Sequence, residues 1–329
     1  MEAQDTKNYL RLLQKFCSVP GISGSEGKTG ISGAILEELN AMDPKRAFED
    51  EFGNVIAVFG SGDKKILLDA HIDEVGFEVA ENIKDRGIFL SEIGQMNPVN
   101  VEGARVYVIS NNIKGKIAVR DGLFMFVPDK AEDAGNILAR ELVSFDRYFE
   151  SDGEKVKAIA LDNRVGCAAI AEIISSISLP KDISIITVFS SGEEMKRSTV
   201  GQIAAKYKPD FGIVIDAAYA QPIDMDPSRT SIPEMGNGCA IQRLGEDFVV
   251  KDSVIERFEK LARENDIKCQ PEIPLPELGR TNLPYLEKNG IEAGAINIPV
   301  RYQHTAYSEF SVNDAMEAVK LIKVFIENF

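Results

Sequence analysis

Strand-like apolar runs alternate with helical stripes along most of this chain, and that alternation narrows the folds open to it. The runs "NVIAVFG", "KKILLDA", "ISIITVFSS", "FGIVIDAA" and "AGAINIPV" are short and apolar. Between and around them, apolar residues recur at helical spacing. Leu10, Leu13 and Cys17 form one stripe, and Ile31, Ile35 and Leu39 form another. Ser23 to Glu26 reads as a capping box opening that second helix. Further helices are expected from about Arg164 to Ile177, near Val200 to Tyr207, and from about Asn313, with Val319, Ile322 and Ile326 facing inward. The pattern predicts an α/β fold: a mixed, mostly parallel sheet sandwiched by helices.

The stretch from about Glu74 to Lys155 breaks the rhythm. Its runs "FEVAEN", "GIFLSEI", "ARVYVIS" and "KGKIAVR" are separated by Gly, Asn, Asp and Pro turns, with little helix. Short strands at this spacing suggest a small β-barrel inserted into the larger unit. The expected division is therefore residues 1–73 and 156–329 as one domain and 74–155 as a β-rich insert. With 329 residues the chain can bury a sizeable core.

The formal net charge of -15 argues against nucleic acid or an anionic membrane as the main partner. No apolar run approaches the roughly 20 residues that cross a bilayer. The opening "MEAQDTKNYLRLLQKF" is polar and acidic before its first stripe, unlike a signal peptide. A cytoplasmic location is expected. Cys17, Cys167, Cys239 and Cys269 are far apart, lack a C-x-x-C pattern and read as buried free thiols.

The chemistry collects at the ends of the strands. His71 follows "KKILLDA", Glu193 and Glu194 follow "ISIITVFSS", and Asp216 ends "FGIVID". Arg301 and His304 follow "AGAINIPV", and Asp162 stands just ahead of the helix after the insert. Ligands of open α/β sheets bind beyond the carboxyl ends of the strands. Taken singly, each residue has an ordinary explanation: a surface histidine, a solvated Glu pair, a helix cap at Asp216, an ion-pair role for Arg164. Together they place both histidines of the chain and four acids at one sheet edge. Imidazole with carboxylate suits Zn²⁺, Co²⁺ or Mn²⁺ better than Mg²⁺ or Ca²⁺. In His71-x-Asp73, the carboxylate can accept the far ring N–H and orient the histidine.

The segments "GNVIAVFG", "DAHIDEVGF", "ALDNRVGCAA", "SSGEEM", "PDFGIVIDAAYA" and "PVRYQHT" resemble, in order and spacing, the dinuclear metallo-aminopeptidases of peptidase family forty-two. These include glutamyl, deblocking and tetrahedral (TET) aminopeptidases, some under an older endoglucanase label. The resemblance runs nearly end to end. It implies His71 and Asp216 as ligands of one metal, Glu194 and His304 as ligands of the other, and Asp162 as the bridge. Glu193 takes the place of the general base and Asp73 that of the residue orienting His71. Two divalent ions per subunit follow, zinc or cobalt first and manganese next, acting with an activated water on peptide substrates. Dimers assembling into a hollow tetrahedral dodecamer are implied too.

The chain departs from the family pattern at "MKRSTVG" after the Glu pair, at "GRTN" (Gly279 to Asn282) and at Ser308. These bear on substrate preference rather than on the ligand set. Rival readings are another dinuclear hydrolase of the same clan, such as a carboxypeptidase or deacylase, a glycosidase, and a non-catalytic scaffold that kept the fold. A glycosidase often has an aromatic-lined groove, which fits a tryptophan-free chain with histidine ligands poorly.

Overall fold

A computed structural model describes residues 3–27, 30–84, 86–221, 232–245, 248–274 and 279–329. At its centre four strands run parallel, in the order Ile183–Ser190, Lys64–His71, Phe211–Val214 and Ala293–Arg301. Ile183–Ser190 and Phe211–Val214 are buried at every residue, as expected for strands covered on both faces. Antiparallel strands extend the sheet on either side. Val55–Gly60 and Arg46–Glu49 flank Ile183–Ser190; Ser308–Ser311, Lys155–Ala158 and Phe149–Ser151 continue beyond Ala293–Arg301. The expected mixed α/β sheet is present, with its parallel share at the centre.

Helix Ala3–Cys17 packs on Leu161–Ser176, which in turn packs on Val312–Glu327. Val200–Tyr207 and Leu283–Glu287 pair with each other and lie on Ile183–Ser190 and Phe211–Val214 respectively. Leu12, Phe16, Ile170, Leu321 and Phe325 are fully buried in the shared core.

The insert is a closed six-stranded barrel. Its strands are Gly76–Ile83, Gly87–Ile93, Leu123–Pro128, Lys114–Arg120, Arg105–Val108 and Leu142–Phe145. It has a core of its own, in which Phe77 meets Phe124 and Phe145 edge-on at centroid distances of 5.3 and 5.8 Å. Barrel pairing stops at Phe145, whereas the sequence pattern carried the insert to residue 155. The difference arises because Phe149–Ser151 pairs with Lys155–Ala158, which pairs in turn with Ser308–Ser311 of the main sheet.

Three local expectations change. The second helix begins at Ile31 behind Gly30 with no side-chain cap, so Ser23 and Glu26 do not form a capping box. Ser23 instead donates its hydroxyl to Asp73, and the Glu26 carboxylate is buried. The helix expected from Arg164 starts at Leu161, with Asp162 and Asn163 holding non-helical angles inside its first turn. "FGIVIDAA" is two strands, Phe211–Val214 and Ala217–Tyr219, with Asp216 in the break. Cys17, Cys167 and Cys239 are buried free thiols, while Cys269 is only half-buried.

Candidate metal centre

Each polar side chain reaches the carboxyl edge of the sheet by a different route. His71 is the last residue of its strand and lies in register with Ser190 of the neighbour. After Ser190 the chain turns through Gly192, whose φ of +78° suits a residue without Cβ, and presents Glu193 and Glu194. Asp216 is fixed where its strand breaks, its N–H donating to Asn297 Oδ1 at 3.1 Å. His304 sits in the loop after Ala293–Arg301 with a φ of +57°, a conformation held only where the surroundings dictate it.

The two imidazoles face one carboxylate from opposite sides. His71 Nε2 is 3.1 Å from Asp162 Oδ1 and 3.3 Å from Asp216 Oδ1. His304 Nε2 is 3.4 Å from Asp162 Oδ2 and 3.2 Å from Glu194 Oε2. Asp162 thus turns one oxygen to each histidine. On the far side of each ring, Nδ1 meets a backbone carbonyl: Asp73 O at 3.2 Å for His71, and Gln95 O at 2.6 Å for His304. A carbonyl can only accept, so Nδ1 is the donor in both rings, which leaves Nε2 as the atom directed at the acids.

This donor set fits divalent metal. Donor atoms of His71, Asp162 and Glu194 lie within 4.8 Å of one another, and Glu194 Oε1 is buried without a hydrogen-bond partner. Burial lowers the pKa of both histidines, but the acids outweigh it. Asp216, Asp162 and Asp73 hold His71 well above the usual range, and Glu194 and Asp162 do so for His304. Positive charge is what this cluster favours.

Asp73 is fully buried and does more than face His71. Its carboxylate is 3.5 Å from His71 Nδ1, farther than its own carbonyl. The carboxylate oxygens accept the N–H of Glu193 at 3.2 Å and of Glu194 at 3.1 Å. One residue therefore fixes both the first histidine and the Glu pair. Burial, reinforced by the negative charges of Asp216 and Glu194, raises Glu193 to about 8 against the opposing pull of His71 and Arg280.

These side chains open into a cavity of about 630 Å³ whose opposite wall, Gln95 to Pro98 and Asn100, comes from the barrel segment. Gln95, Gln303 and Arg280 line it as well, and none of them was singled out as a site residue from sequence. Arg280 alone left a signal there, as the unexpected residue in "GRTN". Arg301 serves the fold, donating to Gln221 O at 2.8 Å and pairing with Glu309. Arg164 is fully buried, pairs with Glu74 at 2.8 Å and also donates to Ile72 O.

Residues 53–134 and 125–321 match the family described as M42 glutamyl aminopeptidase. The chain belongs to that family. A protein of Acetivibrio thermocellus, provisionally named an aminopeptidase, is 31% identical over 337 residues, spanning 98% of each chain. An aminopeptidase from the archaeon Desulfurococcus kamchatkensis superposes with a TM-score of 0.88 at 23% identity, over 98% of this chain and 96% of that one. The Pyrococcus horikoshii TET1 peptidase, described as assembling into a tetrahedron or a large octahedral shell, gives 0.81 at 23% identity over 96% and 98%. At these identities the structures attest the fold. M42 membership makes the chain a peptide-bond hydrolase, which sets the glycosidase reading aside.

Proposed function

We propose that this M42 protein is an aminopeptidase that uses two divalent metal ions to release N-terminal residues from peptides. The observation that supports it most is Asp162, with one oxygen toward His71 and the other toward His304. His71 and Asp216 would hold one ion, Glu194 and His304 the other, with Asp162 between them. Zinc or cobalt suits imidazole with carboxylate best, manganese next. When bound, such a pair supplies Lewis acidity at the scissile carbonyl and makes water a better nucleophile.

The rest belongs to the chain. Glu193 accepts the proton of the attacking water and passes it to the departing amine. Asp73 holds Glu193 and Glu194 by their backbone amides, so the base and a ligand keep a fixed spacing. The carbonyls of Asp73 and Gln95 fix both histidine tautomers. The mixed sheet and the helices packed on it form the catalytic unit in this reading. The inserted barrel, Gly76 to Phe145, serves access and oligomerisation: its Gln95–Asn100 segment already walls the cavity. A homo-oligomer, dimers built into a tetrahedral dodecamer, is the assembly we propose, and four cysteines outside any disulfide suit a cytoplasmic setting.

The test is hydrolysis of aminoacyl-arylamides across all side chains, with Zn²⁺, Co²⁺ and Mn²⁺ supplied separately, beside peptides blocked at either end. Cleavage that needs a free N-terminus and an added metal is expected. Release from the C-terminus, or deacylation alone, would replace the reading with another hydrolase of the clan.

A further inference from the structure

The "GRTN" stretch supplies a side chain that the mechanism above does not use. Arg280 lies on the cavity wall, its side chain 23% exposed. It donates from Nε to Glu193 Oε1 at 3.1 Å, and from Nη2 to Glu193 Oε2 at 3.3 Å and to the Glu193 carbonyl at 3.0 Å. One guanidinium thus engages both oxygens of the carboxylate read as the base. Such a fork is among the stronger polar contacts. With the guanidinium on both oxygens, fewer of the carboxylate's lone pairs are left to face an attacking water. Turnover requires that the fork loosen, and another carboxylate is the natural competitor for it.

The cavity suggests where that competitor sits. His71, Asp162, Glu194, Asp216 and His304 are committed to the metal centre. Gln95, Asn97, Asn100 and Gln303 add uncharged amides, and Arg280 is the one lysine or arginine among the described lining residues. Glu193 delivers its proton to the departing amine, so a group in contact with Glu193 borders the leaving side of the scissile bond.

We infer that Arg280 is a specificity residue for that leaving side: it binds a carboxylate on the residue after the scissile bond and thereby releases Glu193 to act. The inference rests on the aminopeptidase reading. The carboxylate has two sources, the free C-terminus of a dipeptide or an acidic side chain in second position.

Two matched pairs of peptides, assayed with the metal-loaded protein, distinguish these sources: Ala-Ala against Ala-Ala-amide, and Ala-Glu-amide against Ala-Gln-amide. In at least one pair the carboxylate member should show a kcat/KM roughly tenfold or more above its neutral partner, the scale of one charge-assisted hydrogen bond. A preference in the first pair identifies the C-terminus, and in the second the side chain. Arg280→Gln should bring the ratio close to unity, and Arg280→Lys should leave it between, since an ammonium lacks the planar fork. Equal turnover within both pairs by the wild-type protein overturns the inference, as does a ratio unchanged in Arg280→Gln or a loss shared equally by all four peptides. Inactivity of the wild type toward all four peptides and toward alanine-arylamide would remove the aminopeptidase reading and this inference together.

Discussion

Glu193 and Glu194 are neighbours with opposite duties in this account, and single substitutions separate them. Glu193→Gln removes the proton acceptor and nothing that holds metal. It is expected to keep metal content while kcat falls roughly 10²–10⁴-fold. Glu194→Gln should instead weaken metal binding, read by elemental analysis after dialysis. The reverse pattern would exchange the two roles. Asp73→Asn should cost roughly 10–100-fold in metal affinity or activity, the usual scale for a partner behind the ligands. That both histidines would gather with acids at one sheet edge was legible in the sequence, because the chain has only two histidines and each follows an apolar strand. What holds these side chains in place was not. Ser23 reaches Asp73 across 50 positions and Gln95 reaches His304 across 209, contacts that only the folded chain creates. The S-x-x-E pattern at Ser23 suggested a helix cap for the same reason: a local motif cannot reveal that its hydroxyl is used elsewhere.

Among the elements, the first two helices are joined by charge. Glu38 accepts from Arg11 at 2.8 Å and from Lys15 at 2.7 Å, which lowers its pKa from 4.5 to about 2, the Arg11 hydrogen bond contributing most. A depressed carboxylate adds stability above its unfolded pKa, and that stability is lost as pH falls through the folded value. The urea midpoint of the wild type should therefore drop between about pH 4.5 and 2, and Glu38→Gln should flatten part of that decline. An identical acid limb in the variant would show that the pair contributes nothing. The barrel makes a different prediction because its core is separate from that of the sheet. Phe77→Ala should cost about 3–5 kcal/mol and split urea unfolding into two steps, the barrel opening first. A single unshifted transition would mean the two cores act as one. The barrel's existence could be read from its turn spacing. Its end could not, because Phe149–Ser151 and Lys155–Ala158 differ from barrel strands only in the partner they find.

At the scale of the whole molecule, the barrel interrupts the catalytic unit between His71 and Asp162 and walls the cavity beside them. Light scattering is expected to report a large homo-oligomer, and native folded proteins should survive incubation that trims short peptides from a free N-terminus. A fully active monomer would contradict the assembly while leaving the chemistry standing. The central claim, two metal ions serving one base, is tested most directly by titrating the chelator-stripped protein with Zn²⁺, Co²⁺ or Mn²⁺ while following release of the N-terminal residue from a peptide. Activity should be absent at the start, rise with added metal and level off at two ions per chain, with no release from the same peptide acetylated at its N-terminus. Full activity in the stripped protein, a plateau at one ion, or equal cleavage of the acetylated peptide would contradict it.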